Sequence, residues 1–180
     1  MELKDLLIDL FGRVSEQVHD VTSDIDEEEL LTSPEPGSNP IGWLIWHLTR
    51  VQDMHISEIL ETEQLWVDQD WGPRFGLASE PYNIGYGHTV EQIGTVKPDS
   101  AAALFEYFTA VEARTRPLLE STTPSDLDRI VDRRWDPPVN LGTRLVSIAD
   151  DSIQHAGQAA YVKGLLRRRR SQGGDSAPGG

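Results

Sequence analysis

Residues 40–62 read PIGWLIWHLTRVQDMHISEILET, and residues 141–166 read LGTRLVSIADDSIQHAGQAAYVKGLL. In the first stretch Ile41, Leu44, Ile45, Leu48 and Val51 recur at threes and fours, the spacing that lines one face of an α-helix, and Trp43 and Trp46 add bulk. In the second, Leu145, Ile148, Ala149, Ala156, Ala159, Val162 and Leu166 follow the same period. Asn39 followed by Pro40 reads as an N-cap with proline at the first helical position. These patterns predict helices over about 40–62 and 143–166.

Working outward, Leu3, Leu6, Leu7, Leu10, Val14, Val18 and Val21 predict a first helix over 2–22. Ala103, Leu104, Tyr107, Val111 and Leu118 predict another over 99–121, with Asp99 or Ser100 as its cap. The acidic run DIDEEEL at 24–30 either extends the first helix or caps its end, and SPEPGSNP at 33–40 is a break. Residues 63–98 carry Trp66, Trp71, Phe75, Tyr82 and Tyr86, with six prolines and glycines between Gly72 and Gly87. A connection that long inside a domain usually covers something. A second connection, 122–141, contains RRWDPPVNLG. Four long helices without strand alternation predict an all-α four-helix bundle, with 63–98 as a crossover between helices 2 and 3.

The 180 residues suffice for one domain. We expect it to span 1–166, followed by a disordered basic and Gly-rich tail over 167–180. The chain has no cysteine, which excludes disulfides, thiolate metal sites and a cysteine nucleophile. Any thiol chemistry would need a thiol from outside. The net charge is −14, and residues 1–166 hold 12 basic against 29 acidic residues, a net −17. A body that acidic repels phosphate backbones, so nucleic acid is excluded as a partner. The run Arg167 to Arg170 followed by SQGGDSAPGG reads as a solvated tail. No apolar run approaches the roughly 20 residues of a membrane span. The opening MELKDLLIDLFGRV lacks a signal-peptide core. A cytoplasmic protein without a membrane partner is expected.

Of the five histidines, two fall on apolar stripes. His47 lies between Leu44 and Val51, and His155 between Ser152 and Ala159, with Asp151 one turn before His155. Residues at i and i+4 share a helix face, the arrangement two ligands of one ion require. An inward histidine is equally readable as a core residue, and Asp151 with His155 as a hydrogen-bonded pair. The two readings differ in whether a metal binds. His88, in NIGYGHT, is a candidate catalytic acid or base, a substrate contact or a surface residue; glycines on both sides of Tyr86 permit unusual backbone angles there. Gln158, one turn after His155, is placed to bond a ligand. His55 lies about 80° around the helix from His47 and reads as no co-ligand; His19 reads as surface or helix-pairing. Arg50, Asp53, Arg74 and Trp135 are candidates for lining a pocket, with a structural role favoured for Trp135.

The stretches SNPIGWLIWHLTRVQDMHISEIL and IADDSIQHAGQAAYVKGLL resemble the DinB-like superfamily. Within it, WHLTRVQD, GYGHT, RWDPP and QHAGQAAY resemble a branch common in high-GC Gram-positive bacteria. The resemblance covers about residues 1–166 and implies a four-helix bundle, often a homodimer. It also implies a divalent-metal-dependent S-transferase or isomerase using a low-molecular-weight thiol such as mycothiol or bacillithiol. The family pattern has one histidine on helix 2 and an H-x-x-x-H pair on helix 4. His47 matches the first and His155 the last, whereas Asp151 stands where the family has histidine. The resemblance therefore implies a metal set of His47, Asp151 and His155. Zinc is its foremost ion, and nickel, manganese and iron(II) also suit it. The competing expectation is a non-catalytic binding or stress-response bundle, in which the site is degenerate or its ion structural.

Overall fold

The structure is a computed structural model and describes residues 1–174. Its helices are α1 (Leu3–Thr22), α2 (Glu27–Leu31), α3 (Ile41–Leu60), α4 (Leu65–Asp68), α5 (Val90–Ile93), α6 (Ala101–Ser121) and α7 (Leu141–Gly174). Two short antiparallel strands, β1 (Ile130–Asp132) and β2 (Val139–Asn140), pair ahead of α7. The four long helices are those the apolar spacing predicts. α1 packs against α6 and α7, and α3 packs against the same two. No helix among the described residues is long and apolar enough to cross a membrane.

Every residue from Ile41 to Asp53 is buried, so α3 is covered on all sides. Helices α6 and α7 cover part of it, and α2 and the connection 61–100 cover further parts. That connection is fastened by a buried ion pair: Arg50 and Asp53 lie 3.6 Å apart, both side chains fully buried. Arg50 donates to the carbonyls of Pro81 (2.9 Å) and Asn83 (3.2 Å) and to Gln64 Oε1 (2.9 Å). Asp53 accepts from the backbone N–H groups of Leu65 and Trp66 at 3.0 and 2.8 Å, and from the Tyr107 hydroxyl at 2.7 Å. Charges that far from water persist only when paired and hydrogen-bonded. Arg50 and Asp53, expected as candidates for lining a pocket, are fully buried and hold the strap. Arg74 pairs with Asp99 and Glu106.

Four further differences have local causes. Helix α3 starts at Ile41 with Pro40 as its N-cap, so the predicted Asn39 cap is displaced by one residue. DIDEEEL neither extends nor caps α1: Asp26 and Glu29 form a capping box that starts α2 as a separate helix. Helix α7 starts two residues earlier than predicted because Asn140 Oδ1 accepts from the Thr143 N–H at 2.8 Å. At its other end α7 continues through the arginine run to Gly174, where a disordered tail was expected from residue 167. Arg167 and Arg170 reach Asp24, Asp26, Glu28 and Glu29 around the start of α2, and Arg169 reaches the Pro34 carbonyl and Glu35. The acidic body thus supplies the partners that hold the basic run. One turn earlier, Lys163 Nζ donates to the carbonyls of Asp20, Val21 and Ser23 at 2.7, 2.9 and 2.6 Å, satisfying the end of α1. The remaining expectation for the tail, over 175–180, lies outside the described residues.

Candidate metal centre

Helices α3 and α7 cross where their inward polar residues meet. His47 Nε2 lies 3.8 Å from Asp151 Oδ1, and His155 Nε2 lies 3.5 Å from the same oxygen. One ligand atom from each of the three residues falls within 4.8 Å of the others, and among the described residues this is the one cluster of its kind. The spacing bears on both readings left open by the sequence. Hydrogen bonds between imidazole and carboxylate run about 2.7–3.2 Å, so these contacts are too long. Ligands about 2.0–2.1 Å from one tetrahedral zinc ion stand roughly 3.3–3.4 Å apart, close to what is seen.

The outer nitrogens of both rings are already committed. His47 Nδ1 bonds the Ile84 carbonyl, and His155 Nδ1 lies 3.0 Å from Gln158 Oε1. A backbone carbonyl only accepts, so His47 Nδ1 carries a proton, and the Nε2 atoms of both rings face Asp151. This is the arrangement that orients imidazole ligands around a metal. Gln158 thus sits where the sequence placed it, against a histidine of the cluster. The second oxygen of Asp151, Oδ2, is buried and has no hydrogen-bond partner among the described residues. The buried, unpartnered carboxylate oxygen and the two imidazole nitrogens facing Asp151 make a nitrogen and oxygen donor set that fits a divalent cation. Burial works to raise the Asp151 carboxyl, but the His155 and His47 imidazoles more than offset it and hold it down to about 2. Burial likewise works to lower His155, and Asp151 outweighs it, leaving that imidazole raised.

Two features that sequence reasoning missed shape the surroundings. Trp43 stacks on His47 with ring centroids 4.7 Å apart and meets His155 edge-on at 6.1 Å, forming an apolar wall. The strap residue Gly85 has φ +94°, and a Cβ there would lie 2.8 Å from His47 Nδ1 and 2.9 Å from both Trp43 and Trp46. Only glycine lets the backbone come close enough for the Ile84 carbonyl to reach the ring. The glycines flanking Tyr86 were the available signal, but the backbone they admit approaches a histidine of the cluster.

His88 lies next to the centre without joining it. Its Nδ1 accepts from Trp43 Nε1 at 3.2 Å, its Nε2 bonds Asn83 Oδ1 at 2.9 Å, and its ring stacks on Trp46. Through these two hydrogen bonds His88 fastens the strap to Trp43. Burial, then the nearby His47, lowers its pKa. His55 and His19 stand apart from the cluster, as expected: His55 is held by Glu58 and Arg144, and His19 meets Phe105 edge-on.

Comparison with known proteins agrees with this arrangement of helices. The chain is similar to a crystal structure described as a conserved protein from Enterococcus faecalis, with a TM-score of 0.82 and 30% identity over 92% of this chain and 97% of that one. Among curated proteins there is no match. A family match to the DinB superfamily covers residues 10–159, which takes in α3 and α6, most of α1, α7 as far as residue 159, and the whole His47, Asp151 and His155 cluster. On that match the chain belongs to the DinB superfamily.

Proposed function

We propose that this protein is a divalent-metal-dependent enzyme that acts on a low-molecular-weight thiol, as an S-transferase or isomerase of the mycothiol type. We read its four long helices as a DinB-like bundle, with the strap between α3 and α6 as the crossover. His47, Asp151 and His155 would hold the ion, zinc foremost, through two nitrogens and one oxygen. The observation that carries the reading is that the Nε2 atoms of His47 and His155 converge on one oxygen of a carboxylate whose second oxygen is buried and unpartnered.

Three protein ligands leave coordination positions open, and a bound divalent cation supplies Lewis acidity and lowers the pKa of a coordinated thiol. The remaining work is done by the chain. The Ile84 carbonyl and Gln158 hold the two imidazole rings, and Trp43 and Gly85 close the α3 side against water. The side chains of Asp151 and His155 remain 27% and 18% exposed, so access runs along α7. The thiol must come from outside, since the chain has no cysteine. The outward residues Val146, Ile153 and Tyr161 of α7 suit a homodimer contact.

Cobalt substitution tests the reading. The Co(II) protein should show visible bands of a nitrogen and oxygen site, and an added low-molecular-weight thiol should bring a sulfur-to-cobalt charge-transfer band. Cobalt bands that no thiol alters would reject the thiol chemistry while leaving the metal site standing.

A further inference from the structure

Two helical turns from the His47, Asp151 and His155 cluster, about 10 Å along α3 and α7, the groove between these helices opens into a cavity of about 520 Å³. It is lined by Met54 and His55 of α3, Arg144 of α7, Tyr86 of the strap, and Arg134 and Trp135 of the hairpin loop. The sequence favours a structural role for Trp135, but its side chain is not packed away. Trp135 is 65% exposed and Tyr86 is 90% exposed, two large aromatic surfaces turned out of the core beside one cavity.

Beside the aromatics, five side chains close a ring of hydrogen bonds. Arg134 donates to Glu58 and Asp132, Arg144 donates to Asp132 (2.6 Å) and to His55 Nε2 (3.3 Å), and His55 Nδ1 returns to Glu58 (3.3 Å). Counting donors and acceptors shows what the ring still lacks. Asp132 accepts four hydrogen bonds, from the Arg134 backbone N–H, Arg134 Nε, Arg134 Nη2 and Arg144 Nη2. That fills the lone-pair sites of a carboxylate. Both nitrogens of His55 are taken. The Nη1 of Arg134, on a side chain 63% exposed, makes no hydrogen bond among the described residues. Glu58, which keeps one acceptor site, lies outside the lining, so of the charged groups that line the cavity Arg134 has a donor to spare and Asp132 has no acceptor site left.

We propose that this cavity is a second small-molecule site and that it binds an aryl carboxylate. The carboxylate is held by Arg134, and the ring lies against Trp135 and Tyr86 over Met54. The volume lies within the range of small-ligand sites. An anion bound by a guanidinium is recognised through charge-assisted bonds, and an aromatic ring by offset or edge contacts with its neighbours. The site does not depend on a bound metal.

The test uses the full chain in excess chelator, with 2-naphthoate as the probe and calorimetry as the readout. Saturable binding of one probe per chain is expected, with a Kd of about 1 mM or tighter, the affinity ordinary for a ligand of that size. Arg134→Gln should weaken it about tenfold or more through loss of a charge-assisted bond. Trp135→Ala should weaken it roughly three- to tenfold. The neutral analogue 2-naphthalenemethanol should bind about tenfold more weakly than the acid and be indifferent to Arg134→Gln. Circular dichroism checks folding. If Arg134→Gln unfolds, Arg134→Lys, which keeps the charge but loses the planar fork, takes its place with the same expected direction. Absence of saturable binding, equal binding of acid and alcohol, or binding indifferent to both Trp135→Ala and the Arg134 variant would overturn the proposal.

Discussion

At the scale of single residues, Gly85 carries more of the centre's geometry than its size suggests. Its positive φ and the missing Cβ let Ile84 offer a carbonyl to His47 Nδ1. Gly85→Ala should therefore push the strap off the ring and lower metal affinity about 10- to 100-fold, as loss of an outer hydrogen bond to a ligand does. Competition with a chromogenic chelator would measure this, and an unchanged affinity would show that the strap does not orient His47. The same scale shows the limits of sequence reading. His47, Asp151 and His155 were legible because helical spacing puts them on the inward faces of two helices. Ile84 was not, because it acts through its backbone carbonyl, and any residue type has one. Trp43 read as bulk because stacking on a particular ring leaves no mark on periodicity.

At the scale of elements, the strap and the hairpin are each held by buried charge. Arg50→Leu leaves Asp53 without its cation and should cost about 3–5 kcal/mol. Because Arg50 also holds the carbonyls of Pro81 and Asn83, metal affinity should fall in the same variant. Leu104→Ala in the core of α6 should cost a comparable 2–5 kcal/mol with metal affinity intact. Chemical denaturation and metal titration of both variants would separate the two effects. In the hairpin, hydrogen bonds from Arg134 outweigh burial and hold Asp132 well below the usual carboxylate range, with Arg144 adding to them. Its folded pKa lies below its unfolded value near 3.9, so its contribution is complete above about pH 5 and is lost as pH falls through 4 and below. Asp132→Asn should lower stability at pH 7 and flatten the acid limb of the pH–stability curve. An unchanged acid limb would show that Asp132 does not anchor the hairpin. The long helices were legible here because each repeats its apolar spacing over about three turns or more. The hairpin and the four- and five-residue helices α2, α4 and α5 are too short to repeat any period. The end of α7 was misread because the acidic partners of its arginines lie more than 130 positions away in sequence.

At the scale of the whole molecule, a metal bound only by the folded state stabilises it by mass action. Free ion at 100 times its Kd contributes about 2.7 kcal/mol. For a domain of this length that corresponds to a rise in Tm of roughly 5–10 °C. Zinc should raise the melting temperature by that amount and chelation should reverse it, whereas a Tm indifferent to both would argue that the three residues bind nothing. The overall arrangement of helices was legible because four apolar stripes must face one another. The strap's path over α3 was not, since it is set by Arg50 and Asp53, which read in sequence as candidates for lining a pocket. The central claim is that α3 and α7 together build one metal site. Elemental mass spectrometry of untagged protein prepared without chelator tests it most directly, alongside the His47→Ala, Asp151→Asn and His155→Ala variants. The account predicts close to one divalent ion per chain in the native protein and loss of that ion in each variant. No bound ion after incubation with zinc, nickel, manganese or iron(II), or full occupancy in a protein lacking both histidines, would contradict it.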